Sequence, residues 1–208
     1  TAIDFGRMAD CQTVAPRRVT ITNTGNLPET VTPALLNGGT AFAISMTGPE
    51  TILPGKTYTF DVVFLRPSFA AFTDVLELVT TRCRTTFRIP LNGELVEQTY
   101  LAAPNPLMFP TVNVGGVANR QVTIQNNGGF DATFGSIRVI PNGPFTIQGT
   151  VPTSIASGST ENISIRFNPT TEGISNATLC IIFTSPCPDT ICVAMEGEAV
   201  KGTLELHP

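Results

Sequence analysis

Hydrophobic and polar residues alternate along much of the chain with a period of two, which is typical of β-strands with one buried face. The clearest example is Val19-Thr20-Ile21-Thr22, in which the two aliphatic residues share a face. The turn residues Asn23-Thr24-Gly25 follow and predict the end of the strand. The same order returns 103 residues later as Val122-Thr123-Ile124-Gln125 and Asn126-Asn127-Gly128. This repetition predicts an internal duplication.

Other apolar positions recur in the same order, which makes two copies of one unit a better interpretation than a single large sandwich. The recurring pairs are Phe42 and Phe145, Ile44 and Ile147, Phe60 and Ile163, Phe64 and Phe167, Leu76 and Leu179, and Leu78 and Ile181. Near the end of each copy the shift becomes 104 residues, as between Gly93 and Gly197, so one residue is inserted in the last hairpin loop. We expect an all-β chain of two tandem immunoglobulin-like β-sandwich domains, residues 1–97 and 105–200, with roughly seven strands each.

The boundary is expected between Glu94 and Asn105, where Pro104 and Pro106 should stiffen a short linker. Residues 201–208 follow the second copy and alternate like a strand, with Thr203, Leu204 and Leu206 as candidate donor-strand residues. They are expected to open a further repeat or to be offered to a neighbouring molecule. The alternative is a tail that lies along the second domain.

Composition excludes several classes of function. Hydrophobic residues make up 41% and charged residues 13% of the 208, a globular balance in which no apolar run is long enough to span a membrane. The formal net charge of −4 does not suit nucleic-acid binding. With no Trp and only two Tyr, the chain lacks aromatic platforms for sugars, so glycan binding is not expected.

The order of the motifs resembles the ASH-type immunoglobulin-like repeats, which are related to the hydin repeats and the major sperm protein domain. It is also similar to tandem repeats of large bacterial cell-surface and secreted proteins. The motifs are Ile3-Asp4-Phe5-Gly6, Val19 to Gly25, Phe42-Ala43-Ile44, Pro54-Gly55, Val62 to Pro67, and Pro90-Leu91-Asn92-Gly93. The second copy departs from the pattern at Phe109-Pro110 and Ala156-Ser157-Gly158. The resemblance implies a spacer, scaffold or adhesion module and no catalytic residues.

The five cysteines give the most specific chemical predictions that the sequence allows. Cys11 follows the first strand and Cys83 lies at the tip of the last hairpin of the first copy. These regions can meet at one end of an immunoglobulin-like sandwich, so we predict a Cys11–Cys83 disulfide. In the chain-entropy account, closing this loop would stabilise the fold by about 4 kcal/mol.

A second disulfide is predicted between Cys180 and Cys192. Both residues alternate with inward-facing aliphatic residues, so both point outward from neighbouring strands. Their counterparts in the first copy are Glu77 and Arg88, whose opposite charges predict a cross-strand ion pair.

Cys187 is left over as a candidate free or intermolecular thiol, although pairing with Cys180 or Cys192 stays open. A metal site is the rival interpretation, but the spacing of Cys187 and Cys192 does not match zinc sites and His207 is the only histidine. We therefore predict no metal and no cofactor.

Remaining candidates favour ordinary surface roles. Arg17 and Arg18 begin a strand and are expected to form a solvated face, and Asn162 and Asn176 match the glycosylation pattern by coincidence. A histidine-dependent catalytic site would have to use His207, so an enzyme is not predicted.

The chain begins at Thr1, which fits either a processed secreted protein or a segment of a longer one. Cysteine usage favours an extracellular or cell-surface location. We expect a non-catalytic structural or adhesion repeat of a surface array or fibre, with protein partners or further copies of itself and possible self-assembly through the terminal strand. The alternative is an intracellular scaffold module of the ciliary or centrosomal type. A polysaccharide-binding module is a third hypothesis, disfavoured by the lack of Trp.

Overall fold

The computed structural model describes residues 2–202, and every regular element in that range is a β-strand. The predicted all-β class is therefore confirmed. The chain divides into two compact units, Thr1–Val96 and Glu97–Pro208, and this division lies inside the predicted boundary region. No helix within residues 2–202 is long and apolar enough to cross a membrane. The candidate donor residues Thr203, Leu204 and Leu206 lie outside the described residues.

The first unit is built from two sheets. One has the strand order β1-β8-β7-β3-β5 and the other the order β2-β6-β4. Neighbouring strands are antiparallel except β1 and β8, which are parallel. The strands are β1 (Ile3–Ala9), β2 (Arg17–Thr22), β3 (Glu29–Leu35), β4 (Phe42–Ile44), β5 (Glu50–Ile52), β6 (Thr57–Phe64), β7 (Ala70–Thr80) and β8 (Thr86–Val96).

Among the described residues, the second unit repeats this arrangement with ten strands instead of eight, because it adds one strand to its smaller sheet and has two short strands where the first unit has β1. Its larger sheet has the order β10-β18-β17-β13-β15, with β11 also paired to β18, and its smaller sheet has the order β14-β16-β12-β9. The strands are β9 (Tyr100–Ala103), β10 (Leu107–Met108), β11 (Val112–Asn113), β12 (Ala118–Asn126), β13 (Ala132–Ile140), β14 (Phe145–Gln148), β15 (Ser154–Ile155), β16 (Thr160–Phe167), β17 (Gly173–Ser185) and β18 (Asp189–Val200).

Each unit encloses its own hydrophobic core between its two sheets. Most of the alternating residues predicted to face inward, such as Phe42, Phe60 and Leu76, are buried there, because one face of each sheet packs on the other. Val19, Ile21 and Ile44 are only half-buried. Three phenylalanine rings meet at the same place in both units, with centroids 4.8 to 6.0 Å apart. They are Phe5, Phe42 and Phe64 in the first unit, and Phe109, Phe145 and Phe167 in the second.

Gly93 and Gly197 do not mark the ends of the two units. They lie inside β8 and β18, which continue to Val96 and Val200. A Cβ at Gly93 would lie 2.9 Å from the ring of Phe64, and one at Gly197 would lie 2.7 Å from the ring of Phe167. The glycines therefore let a core phenylalanine pack directly on the strand backbone.

The segment predicted as a linker contains a strand. Residues Tyr100–Ala103 form β9 and pair antiparallel with β12, with Tyr100 opposite Asn126. The two prolines that suggested a linker, Pro104 and Pro106, come directly after this strand rather than inside it. The strand thus belongs to the second unit, and the first unit has no strand at the corresponding edge within the described residues.

Candidate interaction site

Cys180 and Cys192 form a disulfide on the outer face of the β17–β18 hairpin. The two residues are directly opposite each other in the register, and their Cα atoms are 4.2 Å apart. This is the spacing of a non-hydrogen-bonded antiparallel pair, in which side chains approach most closely. The facing of the two strands predicted this bond, because Leu179 and Val193 beside the cysteines point into the core.

The first unit uses an ion pair at the same place. Glu77 and Arg88 are opposite each other on β7 and β8, and the Nε atom of Arg88 lies 2.9 Å from a carboxylate oxygen of Glu77. The predicted cross-strand pair is therefore present. Because the guanidinium is exposed to solvent, the pair contributes at most about 1 kcal/mol to stability.

The predicted Cys11–Cys83 disulfide is wrong. Cys83 is an exposed free thiol, held at the hairpin tip by Glu29. The backbone amides of Arg82 and Cys83 donate hydrogen bonds of 2.7 and 3.3 Å to the Glu29 carboxylate. These amides hold the pKa of Glu29 below its usual value. The hydrogen bond between the Cys83 thiol and Glu29 is the main cause that raises the pKa of this thiol, and the negative charge of Glu29 is the second cause.

The odd number of cysteines in the chain suggested that Cys187 is a free or intermolecular thiol, and this prediction is wrong. The side chain of Cys187 is buried and in disulfide-bonded form, and Cys11 is disulfide-bonded as well. Cys187 corresponds to Cys83 at the shift of 104 residues, but the hairpin loops that hold the two residues differ in length by one residue. The Cys83 side chain is exposed and the Cys187 side chain is buried. The rival metal site also fails in its proposed form, because Cys192 is bonded to Cys180.

An open pocket of about 410 Å³ lies at one end of the first unit, between the turn after β2 and the β7–β8 hairpin. We call it the end pocket. Two large apolar side chains, Leu27 and Phe87, stand exposed at its rim by 54% and 53%. Phe87 corresponds to the half-buried Ile191 of the second unit at the shift of 104 residues, so its exposure is a difference between the two units. The lining residues include Ile21, Asn23, Leu27, Val31, Ile52, Thr80, Arg82, Cys83 and Phe87.

The corresponding region of the second unit is filled by residues just before and within β9. The ring of Tyr100 stacks on that of Phe183, whose counterpart in the first unit is the pocket residue Thr80. The side chain of Gln98 donates a hydrogen bond of 2.9 Å to Asn126, whose counterpart is the pocket residue Asn23. Burial raises the pKa of the Tyr100 hydroxyl.

Asn23 and Asn126 organise this end of each sandwich in the same way. The Nδ2 atom of Asn23 donates to the carbonyl oxygens of Leu27 and Ile52, and its Oδ1 atom accepts from the amide of Gly25. Asn126 makes the corresponding bonds to Phe130, Ile155 and Gly128. The sequence identified these asparagines only as turn formers, and no signal in it showed that their amide groups clamp two further segments.

The remaining candidates have local partners. Arg18 pairs with Asp61, with 3.3 Å between the charged groups, and the guanidinium of Arg17 lies 5.9 Å from the centre of the Phe5 ring. The predicted solvated face therefore includes an ion pair and a cation–π contact. Asn162 accepts a hydrogen bond from Thr123 on the neighbouring strand. His207 lies outside the described residues.

Comparison with known families supports the resemblance found in the sequence. The model of the ASH family (abnormal spindle-like microcephaly-associated, ASPM-SPD-2-Hydin) matches residues 98–185, which run from just before β9 to the end of β17. The predicted ASH-type resemblance is thus confirmed for the second unit. No curated protein matches the chain by sequence.

Solved structures with a similar arrangement of strands come from several sources. An ASH or PapD-like domain of human CEP192 covers 50% of this chain and 87% of its own, at 15% identity and a TM-score of 0.41. A protein of unknown function from Porphyromonas gingivalis W83 covers 87% and 89%, at 14% identity and 0.42. A chaperone–tip adhesion subunit complex of Csu pili from Acinetobacter baumannii covers 95% and 96%, at 11% identity and 0.35. These identities are too low to transfer a function.

Proposed function

We propose that this chain is a non-catalytic structural or adhesion repeat of an extracellular or cell-surface protein, in which each unit is a spacer or building block of an array or fibre. The Cys180–Cys192 disulfide is the observation that supports this proposal most strongly. It joins the two longest strands of the second unit, where the first unit has the Glu77–Arg88 ion pair. Disulfides of this structural kind persist in oxidising compartments.

A role in binding other proteins agrees with the ASH match, because such domains are typically protein-interaction modules rather than enzymes. The one free thiol among the described residues has features opposite to those of a nucleophile. A catalytic cysteine needs a lowered pKa, whereas Glu29 raises the pKa of Cys83. Partners are proposed to be proteins or further copies of this chain, since the net charge of −4 does not favour nucleic acid.

The second candidate is an intracellular scaffold module of the ciliary or centrosomal type. The match to the ASH family favours this second candidate, because the family is named after spindle-associated and hydin proteins. In a reducing compartment all five cysteines would be thiols, so the two candidates predict different redox states for every cysteine except Cys83.

Disulfide mapping separates the two candidates. Protein isolated from its native source is alkylated without reduction, digested, and compared by mass spectrometry with a sample that was reduced before alkylation. The extracellular proposal predicts a linked Cys180–Cys192 peptide and alkylation at Cys83 alone. Alkylation of all five cysteines in the unreduced sample would refute it and would support the intracellular scaffold.

A further inference from the structure

We propose that the free edge of β2 and the end pocket form an acceptor site for an added β-strand, and that the occupant is Thr203–Pro208 of a second copy of this chain. This inference rests on the proposed role as a building block of arrays, and it names the surface that joins one block to the next. Two equivalent sheet edges support this inference: a neighbouring strand covers the edge of β12, and no described strand covers the edge of β2.

The covered edge is that of β12 in the second unit, which pairs with β9. The pairing continues beyond the strand, since the amides of Asn127 and Gly129 donate to the carbonyl oxygens of Thr99 and Glu97 at 2.9 and 3.1 Å. Among residues 2–202, β2 is the outer strand of its sheet in the first unit and pairs only with β6. An unpaired edge presents a row of backbone donors and acceptors that can bind an added strand.

The direction of the backbone groups follows from the register. The amide of Asn23 donates to Lys56 on the β6 side, so the amides of Thr22 and Thr20 point the other way. Their counterparts in the second unit are Gln125 and Thr123, which lie opposite Leu101 and Ala103 of β9. The free edge of β2 therefore has the hydrogen-bonding pattern that already binds a strand in the second unit.

Side chains that are buried or half-buried beside β9 in the second unit have more exposed counterparts in the first unit. Val122, Ile124 and Asn126 of the second unit are completely buried, and Phe130 and Ile191 are half-buried. Their counterparts in the first unit are all more exposed, in the order Val19, Ile21, Asn23, Leu27 and Phe87. A strand placed against β2 would remove this apolar surface from water, which is the main driving force for association.

The hydrogen bonds of the two asparagines differ by one partner. Asn126 accepts from Gly128 and from the side chain of Gln98, whereas Asn23 accepts from Gly25 only among the described bonds. Asn23 lines the end pocket, and its carboxamide oxygen has capacity for another donor. An incoming segment can supply that donor from its backbone or side chain.

The sequence of the occupant matches the strand that fills the equivalent site. At the shift of 104 residues that relates β8 to β18, Thr99–Pro104 corresponds to Thr203–Pro208. Tyr100 and Ala102 are the half-buried residues of β9, and Leu101 and Ala103 are exposed. The corresponding pattern in the terminal segment is apolar at Leu204 and Leu206 and polar at Glu205 and His207. The family match also begins at residue 98, so this type of strand belongs to the unit that follows it.

A strand given by one copy and accepted by the next makes a head-to-tail contact between two different surfaces. Such contacts do not pair copies symmetrically, so they extend into a filament unless the geometry closes a ring. The donor and acceptor lie on different parts of the chain, which allows each to be disabled separately.

The test uses the full chain and three variants, with mass measured by light scattering over a concentration series. The full chain is expected to grow in mass with concentration, and removal of residues 203–208 is expected to leave monomers. Thr20→Pro deletes an amide that faces the free edge and is compatible with an edge strand, so it should also leave monomers. Thr20→Ala keeps that amide and is the matched control, which should assemble like the unchanged chain.

Mixing separates strand addition from other association. The chain without residues 203–208 can only accept and Thr20→Pro can only donate, so an equal mixture should give dimers and nothing larger. A peptide of the sequence Thr203–Pro208 should bind the truncated chain about tenfold more tightly than it binds the truncated Thr20→Pro variant. Monomers of the full chain at every concentration, or assembly of Thr20→Pro alone, would overturn the proposal.

These outcomes are independent of the compartment. Monomers with an intact Cys180–Cys192 disulfide would remove the acceptor site but keep the extracellular assignment. Five alkylated cysteines in a protein that still assembles would remove the extracellular assignment but keep the acceptor site.

Discussion

The ring of Tyr100 lies flat against the ring of Phe183, with 3.7 Å between the centroids and 6° between the planes. This contact anchors the strand β9 to the core of the second unit, where the ring of Phe134 also packs on that of Phe183, with 5.1 Å between their centroids. Thr80 stands at the position of Phe183 in the first unit, and the end pocket takes the place of the stacked pair. The stacked Tyr100 ring therefore adds to the backbone pairing with β12 in holding this segment to the second unit.

Tyr100→Ala should destabilise the second unit by about 2 to 4 kcal/mol, because it removes the stacked ring and exposes part of the core. Leu101→Ala changes the next residue of the same strand, whose side chain is 52% exposed, and should cost less than about 0.5 kcal/mol. Chemical denaturation of the two variants measures both values. Equal effects would show that β9 is not anchored through Tyr100.

Gly128→Ala should disturb the second unit because a Cβ there would overlap the carboxamide of Gln98 and displace it from its hydrogen bonds with Asn126 and the Phe130 amide. We expect a loss of about 1 to 3 kcal/mol, as for other insertions into packed sites. Gly25→Ala is the matched control in the first unit, where the nearest atom to a new Cβ is the Oδ1 atom of Asn23 at 3.2 Å. Comparable losses at the two positions in denaturation curves would contradict the difference in packing between the units.

Replacing both Cys180 and Cys192 by Ala should lower the stability of the second unit by about 3 kcal/mol, the chain-entropy value for a bond between residues 12 apart in sequence. The double variant Cys180→Glu, Cys192→Arg copies the ion pair of the first unit. It should recover less than about 1 kcal/mol, because such a pair is exposed to solvent. Thermal unfolding measures both variants, and full recovery by the ion pair would contradict this ranking.

Cys83 should react slowly with iodoacetamide near neutral pH. Its thiol pKa is raised, so at a given pH less of it is in the reactive thiolate form, and the rate should increase as the pH rises through that pKa. Glu29→Gln removes the negative charge and should accelerate alkylation several-fold at about pH 8. Arg82→Ala removes a positive charge that lowers the pKa and should slow the reaction further. An unchanged rate in Glu29→Gln would refute the role of the carboxylate.

Much of the fold could be predicted from period-two patterns. Core residues such as Val122 and Leu179 repeat at a constant shift, because equivalent strands must bury the same face. The Cys180–Cys192 bond followed from the same alternation. Facing along a strand is a local property, so the sequence determines it reliably.

The sequence predicted longer-range relationships less well. Cys83 was assigned to Cys11 because both were placed at one end of the sandwich, but its hydrogen bond to Glu29 depends on how the β3 strand meets the hairpin. The strand β9 was missed because Ala102 and Ala103 give little alternation and two prolines follow. The exposure of Phe87 depends on which strand covers the neighbouring edge, and a pattern within one strand cannot show this.

The most direct test of the account measures hydrogen exchange at the two equivalent sheet edges, in the chain without residues 203–208. The amides of Thr20 and Thr22 should exchange about a hundredfold or more faster than those of Thr123 and Gln125, which face β9. Addition of the Thr203–Pro208 peptide should slow exchange at Thr20 and Thr22 and leave the other two unchanged. Slow exchange at Thr20 and Thr22 without the peptide, or no response to it, would contradict an open acceptor edge on the first unit.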